Sequence, residues 1–130
     1  MKRYKVCVYA ICKNEEQFVE RWMDSMSEAD RVVVLDTGSE DGTVETLRER
    51  GAEVTVETIS PWRFDTARNR SLELAPEDAD ICVCTDLDEV FHPGWREELE
   101  KVWAPGAEQA SYRYTWSFNA DGSEGVVFWY

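Results

Sequence analysis

Three short apolar runs, each followed by a polar loop, constrain the fold of this chain more than any other feature. The runs cover residues 5–11 (KVCVYAI), 31–36 (RVVVLD) and 81–85 (ICVCT), and they are rich in Val and Ile. Uninterrupted runs of this kind are typical of strands that are covered on both faces. The pattern therefore predicts strands of a parallel sheet that lies between layers of helices.

Amphipathic segments separate these runs and predict the helices. Residues 43–50 and 64–75 each have helical character, with Gly51 and Pro76 at positions that end a helix. Asn14 offers a cap for an earlier helix. The apolar residues of that earlier segment recur on one helical face: Phe18, Val19, Trp22, Met23 and Met26.

The remaining segments complete an α/β order. Residues 53–59 predict another strand, and residues 94–103 predict a further helix. Residues 109–118 and 125–130 predict two strands about the turn sequence NADG. Strands that alternate with helices at this spacing favour a mainly parallel sheet with helices on both faces, in a single domain over residues 1–130.

The charge balance narrows the class of partner. Lys and Arg total 14 against 27 Asp and Glu, a formal net charge of −13, which repels nucleic-acid backbones and anionic membranes. No segment approaches the roughly 20 apolar residues of a membrane-spanning helix. We expect a cytoplasmic protein that binds no nucleic acid and has no membrane span. A small anion can still bind where a divalent metal offsets the negative field.

The cysteines fit the same compartment. All four, Cys7, Cys12, Cys82 and Cys84, lie inside apolar runs, as reduced, buried thiols do in cytosolic proteins. A zinc site is the less favoured alternative, because a Cys-x-Cys strand with no nearby His lacks the usual ligand loops.

The loop after the fourth strand carries the strongest chemical signal. In open α/β sheets ligands bind beyond the carboxyl ends of the strands. Asp86 and Asp88 are one residue apart at such an end, so both carboxylates can project from the same side. They repel each other unless a cation lies beside them, and Mg²⁺ or Mn²⁺ accepts such oxygens together with water and substrate phosphates. A solvated acidic loop is the common alternative for Asp-x-Asp alone.

Four motifs stand in order along nearly the whole chain: residues 11–16 (ICKNEE), 34–43 (VLDTGSEDGT), 67–72 (ARNRSL) and 85–89 (TDLDE). Taken together, they resemble family 2 glycosyltransferases in order and spacing. The resemblance implies a Rossmann-like GT-A fold, a three-layer αβα sandwich with a mainly parallel sheet. It also implies a metal-dependent enzyme that transfers a sugar from a nucleoside diphosphate sugar, inverting the anomeric centre.

The resemblance assigns a role to individual side chains of the nucleotide-sugar site. Asp36 corresponds to the carboxylate that reads the base, and Glu15 to the acidic residue that lines the nucleoside pocket. Arg68 resembles the basic residue near the nucleotide. Asp86 is expected toward the ribose or sugar and the metal, and Asp88 most directly on the metal.

Ordinary structural roles remain open for several polar residues. Arg68 can pair with Asp65 or Glu73 on an exposed helix face. Asp41 and Asn14 suit helix caps, because an Asp or Asn side chain before a helix satisfies free amide groups.

The same holds for the aromatic residues and the single histidine. His92, the only His, is interpreted as a surface residue rather than a ligand. Trp62 and Trp95 suit core or rim positions better than a platform on which a sugar stacks.

The part of the family that supplies a catalytic base is expected well after the Asp-x-Asp pair, and this chain is short there. The catalytic base is therefore unknown; Glu97, Glu98 and Asp121 are the late carboxylates, and no motif singles one out. We expect a nucleotide-sugar-binding portion that is truncated at its C-terminus before the acceptor pocket.

Other functions remain open beside transfer from a donor, with a UDP-sugar favoured, to a carbohydrate or other hydroxyl acceptor. A non-catalytic binding module, or a fragment that needs a partner chain, fits the same motifs. An interaction protein would use the apolar strand at residues 126–130 as a sheet edge, which also makes a homodimer an expectation. A nucleotidyltransferase ranks lowest, because no Gly-rich basic loop follows the first strand.

Overall fold

The computed structural model describes residues 4–103, 113–115, 120 and 127–129. The chain forms two compact units, residues 1–96 and 97–130; the single domain over residues 1–130 stays a prediction. The first strands and helices alternate as the sequence predicts: β1 (Val6–Cys12), α1 (Glu16–Met26), β2 (Arg31–Asp36), α2 (Thr43–Glu49), β3 (Glu53–Val56), α3 (Phe64–Glu73), β4 (Ile81–Cys84) and α4 (Trp95–Val102).

The four strands form one parallel sheet in the order β3-β2-β1-β4. Ile11 is the register partner of Leu35, and Tyr9 is the partner of Cys84. The chain adds β2 and β3 on one side of β1 and then returns to add β4 on the other. The strand order therefore reverses between β1 and β4, which is where open α/β sheets form their ligand crevice.

Helices cover both faces of this sheet. Right-handed crossovers place α1 and α2 on one face and α3 on the other; α1 contacts α2, and α3 contacts β1 and β2. The predicted three-layer α/β architecture is confirmed.

The core lies between these layers. Val19, Trp22 and Met26 of α1 are fully buried on one face. On the opposite face Ile11, Leu35 and Ala67 form a cluster, with Ile59 and Leu74 packed against it. This burial fixes the sheet and therefore the positions of the loops at its carboxyl edge.

Two sequence expectations about local structure are wrong. Asn14 does not cap α1: the helix begins at Glu16, with Glu15 in the N-cap position and no side-chain cap. Asn14 instead takes a left-handed backbone conformation with φ of 53°, which Asn tolerates better than most residues. Cys82 is exposed rather than buried, whereas Cys7 and Cys12 are buried.

The second unit contains β5 (Arg113–Thr115), which pairs antiparallel with β6 (Val127–Trp129). This confirms that two paired strands form within the predicted segments. Much of the prediction, including residues 109–112, 116–118 and 125–126, most of the turn and Tyr130, lies outside the described residues. None of the helices in the described part of the chain is long and apolar enough to cross a membrane.

Candidate functional site

The reversal of strand order brings the loops after β1 and β4 together. Glu15 lies close enough to Asp86 and Asp88 for their charges to raise its pKa. Burial is the larger cause, and together these effects raise the pKa of Glu15 to about 7, against a hydrogen bond from the Lys13 backbone that lowers it. Three carboxylates that the sequence placed in separate motifs therefore share one electrostatic environment.

The Asp-x-Asp loop exposes its two carboxylates to solvent and buries the residue between them. Asp86 and Asp88 are exposed, whereas Leu87 is fully buried. Leu87 and Asp88 lie in a turn after β4, and this turn directs Leu87 inward between the two aspartates. The carboxylate of Asp88 accepts no hydrogen bond from any residue in the described ranges, so its oxygens are available to a ligand.

Arg68 reaches this loop from α3 on the opposite side of the sheet edge. Its Nη2 donates to Asp86 Oδ1 across 3.2 Å, and its Nη1 lies 2.8 Å from Cys84 Sγ. The guanidinium also stands over the Phe64 ring, 5.0 Å from the ring centroid. These three contacts place one positive charge at the edge of an acidic site.

The alternative helix-surface pairings of Arg68 do not occur. Asp65 pairs with Arg63, and Glu73 pairs with Arg70. The ion pair between Arg68 and Asp86 is the one that the packing of α3 permits.

Asp36 is fully buried at the end of β2, and its carboxylate organises the following loop. Oδ1 accepts from the backbone N–H groups of Gly38 and Ser39 at 2.9 and 2.7 Å. Oδ2 accepts from Ser39 Oγ at 2.5 Å and lies 3.4 Å from Cys12 Sγ. This Asx-type arrangement fixes the loop directly, so in this structure Asp36 acts on the site through Gly38 and Ser39.

The loops after β1 and β2 are joined by hydrogen bonds. Asn14 donates its backbone N–H to Ser39 Oγ at 2.8 Å and accepts from the Glu40 N–H at 2.7 Å. Glu15 donates its N–H to Thr43 Oγ1 at 2.9 Å. These contacts couple the position of Glu15 to the start of α2.

Asp41 serves the first turn of α2, as predicted. Its Oδ1 accepts from the Thr43 N–H at 3.0 Å, although Gly42 occupies the N-cap position. The hydrogen bond from the Thr43 hydroxyl is the main cause that lowers the pKa of Asp41. This contact accounts for Asp41 without a ligand.

Sequence reasoning missed two residues of α1 that hydrogen-bond to the backbone of the segment from Asp88 to Phe91. Arg21 Nη2 donates to the Asp88 carbonyl at 3.3 Å. Ser25 Oγ accepts from the Phe91 N–H at 2.6 Å and lies 3.2 Å from the Phe91 carbonyl oxygen. The available signal was their four-residue spacing, which puts both on one helical face.

Glu28 lies in the turn that follows α1 and adds contacts to the same segment. Its carboxylate accepts from the Gly94 N–H at 2.9 Å and from the Arg96 N–H at 3.3 Å. Trp95 donates its indole N–H to the Ser25 carbonyl at 2.8 Å. Arg21, Ser25 and Glu28, which we name the α1 clamp, thus hold the segment that follows the Asp-x-Asp pair.

The other singled-out residues occupy structural positions. His92 is exposed, and its carbonyl accepts from the Trp95 N–H at 3.2 Å. Trp95 is 9% exposed, and Trp62 is 57% exposed. Trp95 is therefore a core residue, and Trp62 lies at the surface.

The donor set has the character of a site that a substrate completes. Among the described residues, no three His, Cys, Asp or Glu side chains gather closely enough to hold a metal ion by themselves. Mg²⁺ and Mn²⁺ commonly bind through one or two carboxylates and take their other oxygens from water and phosphates. Asp86 and Asp88 fit that requirement, and their charges add to burial, the larger cause, in raising the pKa of Glu15.

Comparison with known proteins identifies the family and the fold. A family model described as "Glycosyl transferase family 2" matches residues 7–123. The lipopolysaccharide core biosynthesis glycosyltransferase LpsC of Rhizobium meliloti (strain 1021) is 28% identical over 108 residues, which are 81% of this chain and 39% of that protein. The chain thus spans about two fifths of the length of this relative.

Two solved structures extend the comparison to ligands. One is glucosyl-3-phosphoglycerate synthase from Mycobacterium tuberculosis with Mn²⁺, uridine diphosphate and glucosyl-3-phosphoglycerate, with a TM-score of 0.55, 29% identity, and coverage of 65% of this chain and 33% of that one. The other is the mannosyltransferase PcManGT from Pyrobaculum calidifontis with GDP-Man and Mn²⁺, with a TM-score of 0.59, 29% identity, and coverage of 76% and 31%. The fold is that of the GT-A glycosyltransferases.

Proposed function

We propose that this chain, which belongs to glycosyl transferase family 2, binds a nucleoside diphosphate sugar and a divalent cation at the carboxyl edge of its sheet for transfer of the sugar. The observation that carries the proposal is the meeting of Glu15, Arg68 and the Asp86–Asp88 pair at the point where strand order reverses. Two exposed carboxylates beside one guanidinium, with the Glu15 carboxylate in electrostatic range, suit a cation and a diphosphate together.

Asp88, Asp86 and Arg68 have different roles toward the diphosphate of the donor. Asp88, exposed and without a hydrogen-bond donor among the described residues, is the first candidate to hold Mn²⁺ or Mg²⁺, and Asp86 is the second. The bound cation would supply Lewis-acid stabilisation of the charge on the leaving diphosphate. Arg68 places its guanidinium beside Asp86 and offers the remaining positive charge.

The nucleoside end of the donor is assigned to the loops after β1 and β2. Glu15 lines the pocket, and Asp36 shapes it by holding Gly38 and Ser39. A UDP-sugar is the favoured donor, and a neighbour with uridine diphosphate supports this choice. The neighbour with GDP-Man makes a GDP-sugar the next donor to test.

The acceptor is proposed only as a hydroxyl group, carbohydrate or other. Inversion by direct displacement requires a base that deprotonates this hydroxyl, and no described carboxylate is assigned to that role. A cytoplasmic location and a homodimer are likewise proposals that rest on composition and on the apolar C-terminal strand.

A non-catalytic nucleotide-sugar-binding module, or a portion completed by another chain, is the second candidate. The observation that favours it is coverage, because the chain spans only 39% of its lipopolysaccharide-core relative. This candidate predicts donor binding without release of nucleoside diphosphate, whereas the transferase predicts release in the presence of an acceptor.

Calorimetric titration of the chain with UDP, with and without Mn²⁺, tests the proposal. Wild type should bind UDP in a Mn²⁺-dependent manner, and Asp88→Ala should lose the dependence. Asp78→Ala is the matched control, because Asp78 is an exposed aspartate before β4 that pairs with Lys5. If neither UDP nor GDP binds with Mn²⁺ present, the donor-site assignment is wrong.

A further inference from the structure

Glu89 follows the Asp-x-Asp pair, and its side chain turns back toward β4. Oε1 of Glu89 accepts from the Asp86 N–H at 2.8 Å, while the Glu89 N–H donates to the Asp86 carbonyl at 3.1 Å. Thr85 Oγ1 lies 3.5 Å from the same Oε1. Backbone and side chain of one residue thus close the same four-residue loop.

This double contact acts on the peptide group that orients Asp86. Leu87 is fully buried and holds the middle of the loop in the core. The N–H of Asp86 lies directly before buried Leu87, and the Glu89 carboxylate fixes this N–H by a hydrogen bond. These contacts hold the backbone that carries Asp86 and Asp88, so the two carboxylates stay side by side despite their repulsion.

We propose that Glu89 is a positioning residue for the cation site, acting through its hydrogen bond to the Asp86 N–H. The inference rests on the proposed function, because it assigns Glu89 to the same site. Glu89 is half-buried, and the oxygen that bonds the Asp86 amide is directed at the chain rather than at a ligand. Glu89 ends the motif at residues 85–89, but neither the resemblance nor the comparisons assign a role to this side chain.

The chemistry of the contact separates positioning from direct ligation. A backbone N–H needs only an oxygen acceptor, and the Gln side chain supplies one of the same length. Glu89→Gln therefore keeps the hydrogen bond and removes the charge, whereas Glu89→Ala removes both. A direct ligand of the cation would need the charge, so the two roles predict opposite results for Gln.

The test is calorimetric titration of Mn²⁺ into the full chain with saturating UDP, for wild type and both variants. Loss of one hydrogen bond should weaken Mn²⁺ binding about fivefold in Glu89→Ala. Glu89→Gln should stay within about twofold of wild type. Glu77→Ala, an exposed loop glutamate before β4, is the control for loss of one charge.

Amide hydrogen exchange, read on the folded chain, supplies a second measurement. The Asp86 amide should exchange faster in Glu89→Ala and at the wild-type rate in Glu89→Gln. Unchanged Mn²⁺ affinity in the Ala variant overturns the positioning role alone, and so does a Gln variant as weak as Ala. Absence of Mn²⁺-dependent UDP binding by wild type overturns the proposed function, and the positioning role with it.

Discussion

Arg68 donates from Nη2 to Asp86 Oδ1 across 3.2 Å, and this ion pair joins helix α3 to the loop after β4. The Arg68 side chain is 21% exposed and that of Asp86 is 55% exposed. Because the pair is partly open to water, its own contribution to folding is small. Its importance is that it holds the Arg68 guanidinium at a defined position beside Asp86. Among the described residues, this guanidinium is the one positively charged group that contacts an Asp-x-Asp carboxylate.

Replacing Arg68 should affect nucleotide and metal in different ways. In Arg68→Ala the positive charge beside the diphosphate is gone, so UDP affinity at saturating Mn²⁺ should fall by about fivefold. Mn²⁺ alone should bind no more weakly, since Asp86 loses a competitor. Arg63→Ala is the control, because Arg63 pairs with Asp65 on the same helix. Calorimetry on both ligands checks this, and a parallel loss of Mn²⁺ binding would contradict it.

The pKa of Glu15, raised to about 7 by burial and by Asp88 and Asp86, predicts a pH dependence of folding. A carboxyl whose folded pKa lies above its unfolded value favours the folded state at low pH, and this contribution is lost as pH rises through about 4 to 7. Glu15→Gln should therefore gain stability relative to wild type at about pH 8 and little at about pH 4. Urea denaturation without metal measures the difference.

Glu20→Gln is the control for this experiment, because Glu20 is exposed on α1, the helix that begins directly after Glu15. Mn²⁺ should reduce the advantage of Glu15→Gln at high pH, since a nearby cation lowers the pKa of Glu15. Equal pH slopes for wild type and Glu15→Gln would show that Glu15 is not perturbed.

The α1 clamp should contribute to stability through Ser25. Ser25→Ala leaves the Phe91 N–H without the acceptor that lies 2.6 Å away, and we expect the free energy of unfolding to fall by about 1–2 kcal/mol. Ser27→Ala is the matched control, since Ser27 Oγ bonds only locally, to the Asp24 carbonyl. Urea denaturation measures the free energy of unfolding of the two variants. Equal losses would show that the contact between Ser25 and Phe91 adds no stability beyond that of a local hydrogen bond.

Asn14 should resist replacement for two separable reasons. Its positive φ and its bond to the Glu40 N–H both favour Asn. Asn14→Gly keeps the conformation and loses the bond, whereas Asn14→Ala loses both, so Ala should be less stable than Gly by about 1 kcal/mol. Thermal or urea unfolding gives the order, and a more stable Ala variant would argue against the left-handed conformation.

The strands of the sheet and the exposed positions of Asp86 and Asp88 could be predicted because each depends on a local sequence pattern. The bounds of β2 are as predicted, since RVVVLD is an apolar run that ends in a charged residue. Asp86 and Asp88 are both exposed about buried Leu87, as their spacing predicted, although a turn rather than a continuing strand produces this arrangement. These features need no knowledge of distant contacts.

The ion-pair partner of Arg68, and the side chains that hydrogen-bond to backbone groups after the Asp-x-Asp pair, could not be predicted in this way. Arg68 had Asp65 and Glu73 within reach along its own helix, and only the packing of α3 on β1 and β2 brings it to Asp86. The α1 clamp holds backbone groups, so the four-residue spacing of Arg21 and Ser25 was a signal for a shared face but did not identify what that face contacts. Asn14 was misassigned because capping and loop bridging use the same side-chain acceptor.

Because Leu87 is buried, the proposed affinity of the acidic loop for a cation depends on how well the interior is packed. Any change in the apolar layer that shifts this side chain also shifts the two flanking aspartates, with no change in charge. Substitutions remote from the sheet edge can therefore appear in assays as altered metal requirement, and loss of activity in such variants would not by itself implicate the altered residue in chemistry.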